Sequence, residues 1–193
     1  MESSQRLRSV KYINGAFSLH EEELPQPGKG QALIKVHYST VNPYDRIMSG
    51  VNKDEGFVLG CDGCGIIEQV GEDVDQSLVG KKVAFLGGGW ANYAVKDAEF
   101  LVYFRDDFDL KQGANTYVNP FTVTAMLDYA KKLNSKAVIL MAASSALAKM
   151  FIRIARKEGI ETINIVRKDE NVKELKEDFG TKYALNYTNA NFD

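Results

Sequence analysis

AVILMAASSALAKMFIRIARKEGIETINIVRK, residues 137–168, is the stretch of this sequence that decides the fold. Its first five residues form a continuous apolar run, which is typical of a strand buried in a parallel sheet, and a turn of small residues follows. The next segment has helical periodicity, Gly159 is suited to end that helix, and residues 161–166 are rich in β-branched side chains. The sequence therefore predicts a strand, a helix and a second, parallel strand.

The turn after the first strand has the position of a pyrophosphate-binding turn, but alanine and serine replace the usual glycines. The residues predicted to bind a dinucleotide here are Ala143, Ser144, Ser145, Ala146 and Leu147. We expect the backbone amides of Ala146 and Leu147, at the positive end of the helix, to bind phosphate with help from the two serine hydroxyls. Because glycine is missing, we expect ordinary φ and ψ angles at Ala142 and weaker binding.

Two cations, Arg167 and Lys168, follow the second strand. An NAD-binding unit carries an acid there, about twenty residues beyond the turn, to accept hydrogen bonds from the ribose hydroxyls. Cations at that place suit a 2′-phosphate. The alternative is that they are solvated charges at the end of a strand.

Length, composition and charge exclude several classes of protein. The 193 residues are 45% hydrophobic and 26% charged, and the formal net charge is −2. Such a balance, with lysines and arginines scattered among acids, gives no drive toward nucleic acid or an anionic membrane. No apolar stretch reaches the length of a membrane span, and the first ten residues lack a signal-peptide core, so the expected location is the cytoplasm.

The remaining sequence divides into a β-rich part and a part with longer helices. Asn14-Gly15 lies between two alternating runs and predicts a β-hairpin, and further short strands separated by glycines indicate a compact barrel. Near residue 118 the periodicity changes to that of helices, which places a domain boundary close by.

Six segments occur in the order and spacing of a known family. They are LPQPGKGQALIKV (24–36), STVNPYDRIMSG (39–50), VLGCDGCGIIEQVGEDV (58–74), VGKKVAFLGGGWANYAV (79–95), NPFTVTAML (119–127) and AASSALAK (142–149). The chain resembles the zinc-independent quinone oxidoreductase and enoyl reductase branch of the medium-chain dehydrogenase/reductase superfamily. The resemblance implies an α/β protein with a β-rich part: a GroES-like β-barrel catalytic domain at 1–121, then the first half of a Rossmann-type doubly wound parallel sheet, a partial nucleotide-binding domain, at 122–193.

The resemblance also implies a function. We expect an NADPH-dependent oxidoreductase that transfers a hydride to a small-molecule substrate, a quinone or an α,β-unsaturated carbonyl. NADP is therefore the expected cofactor, and the resemblance favours the 2′-phosphate interpretation of Arg167 and Lys168.

The same resemblance assigns roles to individual residues. Asn42 is expected to donate a hydrogen bond to the substrate carbonyl, and Asp45 is a catalytic candidate whose alternative role is helix capping or ion pairing. Enoyl reductases use a tyrosine as proton donor where this chain has Val51-Asn52-Lys53, so Tyr44 is the candidate substitute. Thr122 is expected to contact the nicotinamide end of the cofactor, and the alternative is an ordinary threonine at the start of a helix.

No metal site is expected. Zinc-dependent members of the superfamily carry a cysteine in the segment occupied here by residues 42–45 and a His-Glu pair where this chain has Cys61-Asp62. Cys61 and Cys64 form a CxxC, but two thiols and two unpaired histidines do not supply a tetrahedral zinc site. We expect both cysteines to be reduced and packed.

Family members are longer than this chain, which ends soon after the third predicted strand of the nucleotide-binding sheet. We expect either a truncated or partly built portion of a longer reductase or a naturally short relative that packs against another chain. A homo-oligomer or a subunit of a larger assembly is therefore expected. The alternative functions are a non-catalytic, reductase-like accessory or scaffold subunit and an NADPH-binding sensor.

Overall fold

The computed structural model describes residues 6–51 and 57–189, without the side chains of residues 49–51. The chain forms two compact units, Met1–Val118 and Asn119–Asp193. The strands are β1 Arg6–Ile13, β2 Ala16–Glu23, β3 Gln31–Ser39, β4 Asp62–Val70, β5 Lys82–Leu86, β6 Tyr93–Asp97, β7 Val102–Tyr103, β8 Ala137–Leu140, β9 Glu161–Val166 and β10 Tyr183–Asn186. The helices are α1 Pro43–Val51, α2 Leu110–Gly113, α3 Val118–Lys132, α4 Ala146–Lys157 and α5 Asp169–Glu177.

An antiparallel hairpin, β1 and β2, opens the first unit. Its turn has positive φ at both Asn14 (51°) and Gly15 (80°), the geometry that matches the twist of the flanking strands. This confirms the hairpin predicted from Asn-Gly. The outer side of β1 makes single bridges to Ala91 and Val58, which join the hairpin to the rest of the unit.

The main sheet of the first unit has five antiparallel strands in the order β6-β3-β4-β5-β7. Its core consists of alternating apolar side chains, among them Ile34, Ile67 and Phe85, which are at most 1% exposed. The chain leaves β3 at Ser39, forms α1, and returns to the sheet at the start of β4. This path brings the loop before α1 beside the first residues of β4.

The second unit contains a parallel sheet in the order β10-β9-β8, with α4 and α5 connecting its strands. One face of the sheet packs against a core that includes Phe151 and Leu175, both fully buried. This is the first half of a doubly wound sheet, so the α/β fold class predicted from residues 137–168 is confirmed.

The other face of the parallel sheet is exposed to a large degree. Ile139 and Met141 at the end of β8 are 65% and 68% exposed, and Tyr183 and Leu185 of β10 are 42% and 47% exposed. Within residues 6–51 and 57–189, no helix is both long and apolar enough to cross a bilayer.

Candidate functional site

The start of α1 is fixed by a buried carboxylate. Asp45 is 2% exposed, and its side chain accepts hydrogen bonds from the backbone N–H groups of Asn42 (2.7 Å) and Cys61 (2.8 Å). The first of these bonds is a capping-box interaction, in which the third helical residue reaches back to the residue before the helix. Asp45 therefore has the capping role that the sequence left open, and it also ties the helix to the start of β4.

The side-chain amide of Asn42 is held by two neighbours. Its Nδ2 donates to Thr40 Oγ1 at 2.6 Å and to Cys61 Sγ at 3.0 Å. Thr40 is itself anchored, because the indole Nε1 of Trp90 donates to its carbonyl at 2.8 Å. The sequence did not identify Thr40, Cys61 or Trp90 as part of this cluster. Cys61 and Trp90 reach the loop from distant segments, whereas Thr40 lies two residues before Asn42.

Two ionisable groups in this cluster are driven toward their neutral forms. Burial raises the pKa of the Cys61 thiol to about 11, although the hydrogen bond from Asn42 opposes the shift. Burial also raises the pKa of Asp62, whose carboxylate accepts a hydrogen bond from the backbone N–H of Val118 at 2.8 Å. The thiol is therefore protonated near neutral pH and is a weak nucleophile.

Tyr44, the candidate proton donor, projects from the first turn of α1 and is 52% exposed. No side chain in the described part of the protein forms a hydrogen bond to its phenol. Its hydroxyl is thus available to a ligand. Enoyl reductases carry their tyrosine at the positions that Val51, Asn52 and Lys53 occupy here. Val51 ends α1, and Asn52 and Lys53 lie outside the described residues.

The two thiols of the CxxC have separate surroundings. Both thiols are free and buried, and Cys64 donates to the carbonyl of Leu110 at 3.0 Å, away from the partners of Cys61. The cysteines are packed as expected, and their reduced state stays a prediction. The described ranges contain no group of three or more His, Cys, Asp or Glu residues placed to hold a metal ion. The absence of zinc stays a prediction, which elemental analysis of the purified protein checks.

The turn between β8 and α4 differs from the expectation at two residues. Ala142 has φ of +50°, so the left-handed geometry usual for glycine is kept here with alanine, and the expected ordinary angles are wrong. Ala143 is fully buried and its N–H donates to the carbonyl of Ile165 at 3.1 Å. Its amide therefore connects the turn to β9 and is not directed to a ligand.

The next residues of the turn do offer donors. The N–H groups of Ala146 and Leu147 begin α4, and no acceptor within the described residues receives them. Ser145 is the N-cap, whose Oγ accepts from the N–H of Ala148 at 3.3 Å and keeps its own hydrogen for another partner. Ser144 Oγ lies 3.4 Å from Asn171 Nδ2, which places the first turn of α5 beside this one.

The two predicted cations at the end of β9 differ in their surroundings. Lys168 forms an ion pair with Glu170 at 3.0 Å, in which both side chains are about 70% exposed. Arg167 is exposed, and its guanidinium has no acidic partner in the part of the chain that the structure describes. Arg167 is therefore the more available of the two for an anion.

A third charged residue at this edge, Asp169, was not among the predicted site residues. Its Oδ1 accepts hydrogen bonds from Asn186 Nδ2 (2.9 Å) and Asn189 Nδ2 (3.2 Å) of the loop after β10, and these bonds lower the pKa of the carboxyl group. Thr122, the remaining predicted contact, is half-buried in the second turn of α3.

Comparison with known proteins shows the family. Residues 28–106 match the family of the alcohol dehydrogenase GroES-like domain. The chain is 32% identical over 155 residues to a quinone oxidoreductase of Sus scrofa, an alignment that covers 76% of this chain and 47% of the relative. A candidate NADPH:quinone reductase from Mesorhizobium loti superposes with a TM-score of 0.85 at 31% identity, covering 100% of this chain and 63% of that one.

This chain belongs to the quinone oxidoreductase branch of the medium-chain dehydrogenase/reductase superfamily. The GroES-like assignment of its β-rich part is confirmed by the matched residues. A second solved structure, that of the mycobacterial protein Rv1454c in complex with NADPH, superposes with a TM-score of 0.82 at 25% identity, covering 94% of this chain and 59% of that one. The chain spans about half the length of the quinone oxidoreductases it matches.

Proposed function

We propose that this chain carries the catalytic domain (1–121) and the first part of the nucleotide-binding domain (122–193) of an NADPH-dependent reductase of quinones or α,β-unsaturated carbonyls. One observation carries the proposal. At the carboxyl ends of the parallel strands, the N–H groups of Ala146 and Leu147 have no acceptor among the described residues, and they lie beside the turn that contains Arg167. That is where an open α/β sheet binds its ligand. The relative solved with NADPH supports this choice of ligand.

The residues at this edge fit the phosphates of NADPH. The amides of Ala146 and Leu147 suit the pyrophosphate, with the Ser145 hydroxyl as a further donor. The guanidinium of Arg167 suits the 2′-phosphate, because a planar fork of donors pairs well with phosphate oxygens. Lys168 contributes less, since Glu170 already neutralises it.

The first unit supplies the substrate end of the reaction in this proposal. NADPH, when bound, supplies the hydride. Asn42 stabilises the negative charge that develops on the substrate oxygen by donating a hydrogen bond to it. The N–H that makes this bond is the one that now donates to the sulfur of Cys61, which is a weak acceptor. Tyr44 delivers the proton, and Asp45 acts through Asn42 as a positioning residue.

Fluorescence titration with NADPH and NADH tests the nucleotide assignment. The unmodified protein is expected to bind NADPH more tightly, and Arg167→Ala is expected to weaken NADPH binding about tenfold while NADH binding stays the same. Lys168→Ala should have a smaller effect. Arg105→Ala, which removes an exposed arginine from the first unit, is the control for loss of charge alone. Equal affinity of the unmodified protein for both nucleotides would refute the assignment.

A second function, binding of NADPH without turnover, is favoured by one observation: both hydrogens of the Asn42 amide already have partners within the protein. Steady-state oxidation of NADPH with a simple quinone or an enone separates the two proposals. Turnover that is lost in Asn42→Ala while NADPH still binds supports the reductase. Nucleotide binding without any substrate-dependent oxidation supports the sensor or accessory role. Location in the cytoplasm and assembly with other chains stay predictions.

A further inference from the structure

We propose that Asn186 and Asn189 set the preference for NADPH by holding the carboxylate of Asp169, which leaves Arg167 free for the 2′-phosphate. This inference rests on the proposed function. The two asparagines are positioning residues, because they act on the ligand only through Asp169 and Arg167.

The loop after β10 is well placed for this task. Asn186 is 8% exposed, and its Oδ1 accepts a hydrogen bond from the backbone N–H of Thr188 at 3.0 Å. The backbone N–H of Tyr187 donates to the carbonyl of Val166 at 3.0 Å, and the Thr188 hydroxyl lies 3.3 Å from the carbonyl of Arg167. The loop is thus attached to the end of β9, directly beside the residues it controls.

The spacing of Arg167 and Asp169 makes an ion pair between them the natural alternative. Two other cation and acid pairs with the same spacing do close in this chain: Arg105 with Asp107 at 3.3 Å and Lys168 with Glu170 at 3.0 Å. At Arg167 the pair does not form, and Oδ1 of Asp169 accepts hydrogen bonds from the two amides instead. The amides therefore decide which partner Asp169 has.

Loss of the two amides would create a competitor for the phosphate. A released Asp169 carboxylate can pair with Arg167, and the 2′-phosphate would then have to displace it as well as overcome its negative charge. NADH carries no phosphate at that position and depends on Arg167 much less. The structure therefore predicts a selective loss of NADPH affinity.

Binding of NADPH and NADH to Asn189→Ala and to Asn186→Ala/Asn189→Ala tests this. We expect the ratio of NADPH to NADH affinity to fall about 3- to 10-fold in the double variant, and less in the single one. Adding Asp169→Asn should restore the ratio, because a neutral amide does not compete for Arg167. In the unmodified background Asp169→Asn should change the ratio less than it does in the double variant. An unchanged ratio in a double variant with native circular dichroism, or an equal effect of Asp169→Asn in both backgrounds, would overturn the proposal.

A measurement without nucleotide separates this inference from the proposed function. In the unmodified protein, Arg167→Ala should leave the pKa of Asp169, followed by NMR, unchanged. In the double asparagine variant the same change should raise that pKa, because Arg167 has become the partner of the carboxylate. A rise in both backgrounds would show that Asp169 already interacts with Arg167. Failure of the unmodified protein to bind either nucleotide would refute the proposed function, while the NMR titration still judges the role of the asparagines.

Discussion

The carboxylate of Asp45 accepts a hydrogen bond from the backbone N–H of Cys61 at 2.8 Å, across 16 residues of sequence. With the second bond to the N–H of Asn42, this one side chain satisfies two backbone donors at the place where the loop before α1 meets β4. The position of the Asn42 amide therefore depends on the buried side chain of Asp45.

Replacing Asp45 by Ala should be strongly destabilising. It leaves two backbone N–H groups without their acceptor beside a buried position, and we expect a loss of about 3 kcal/mol in the free energy of unfolding. Asp75→Ala is the matched control, since that carboxylate also accepts from a backbone N–H but in an exposed turn. We expect the control to be much less destabilising, because solvent can replace the lost acceptor there. Equal losses in urea unfolding would show that burial of Asp45 adds nothing.

The two buried thiols should make the protein less stable in alkaline solution. Burial raises the pKa of both Cys61 and Cys64 from 9.0 to about 11. The folded state thus holds these protons over a pH range in which the unfolded chain releases them, so stability is complete below pH 9 and falls as the pH rises toward 11. Urea unfolding of the unmodified protein and of Cys61→Ala/Cys64→Ala checks this. The fall between pH 9 and 11 should be shallower in the variant.

The ion pair between Lys11 and Glu22 in the hairpin should contribute more to stability than the exposed ion pair between Arg6 and Glu21. Lys11 Nζ lies 2.7 Å from Glu22 Oε1, and the lysine side chain is only 9% exposed. Glu22→Gln leaves that buried charge without its partner, and we expect a loss of about 2 kcal/mol. Glu21→Gln, which breaks an exposed pair with Arg6, should cost about 0.5 kcal/mol or less. Thermal unfolding of the two variants measures the difference.

The same pair gives stability a dependence on acid. The hydrogen bond from Lys11 lowers the pKa of Glu22 below its ordinary value of 4.5. The contribution of the ion pair to the free energy of unfolding is therefore complete above pH 4.5 and is lost as the pH falls below that value. In Glu22→Gln this part of the acid dependence should be missing.

Ala142→Gly should stabilise the protein. Left-handed backbone costs an alanine about 1 kcal/mol, and glycine removes that strain at the price of some entropy of the unfolded chain. We expect a net gain of about 0.5 kcal/mol. Ala146→Gly, in the first turn of α4, has no positive φ to relieve and should be neutral or destabilising. A loss of stability in Ala142→Gly would show that the positive φ of Ala142 does not strain the backbone.

The features that the sequence predicted well depend on neighbouring residues. The Asn14-Gly15 hairpin and the end of α4 near Gly159, where φ is +70°, follow from local conformational preferences. The parallel sheet follows from the apolar runs of residues 137–168, whose periods distinguish strand from helix.

The features that the sequence missed depend on distant contacts. The role of Asp45 is decided by Cys61, and that of Asp169 by Asn186 and Asn189, which only the folded chain brings near. Ala142 was misjudged for another reason. Alanine has no intrinsic preference for positive φ, so the residue type alone did not indicate the φ of +50° that Ala142 has in the fold.

The order of the parallel sheet has a consequence for how the second unit opens. In the described part of that sheet, β9 alone pairs on both sides: Ile163 faces Ile139 of β8 and Tyr183 of β10, while each outer strand pairs on one side. Amide hydrogens of β9 are thus shielded by two neighbours, so they should exchange with deuterium last, after those of β8 and β10. The slow-exchanging centre of this unit is then the strand whose end presents Arg167, and transient opening at the outer strands leaves that end of β9 in place.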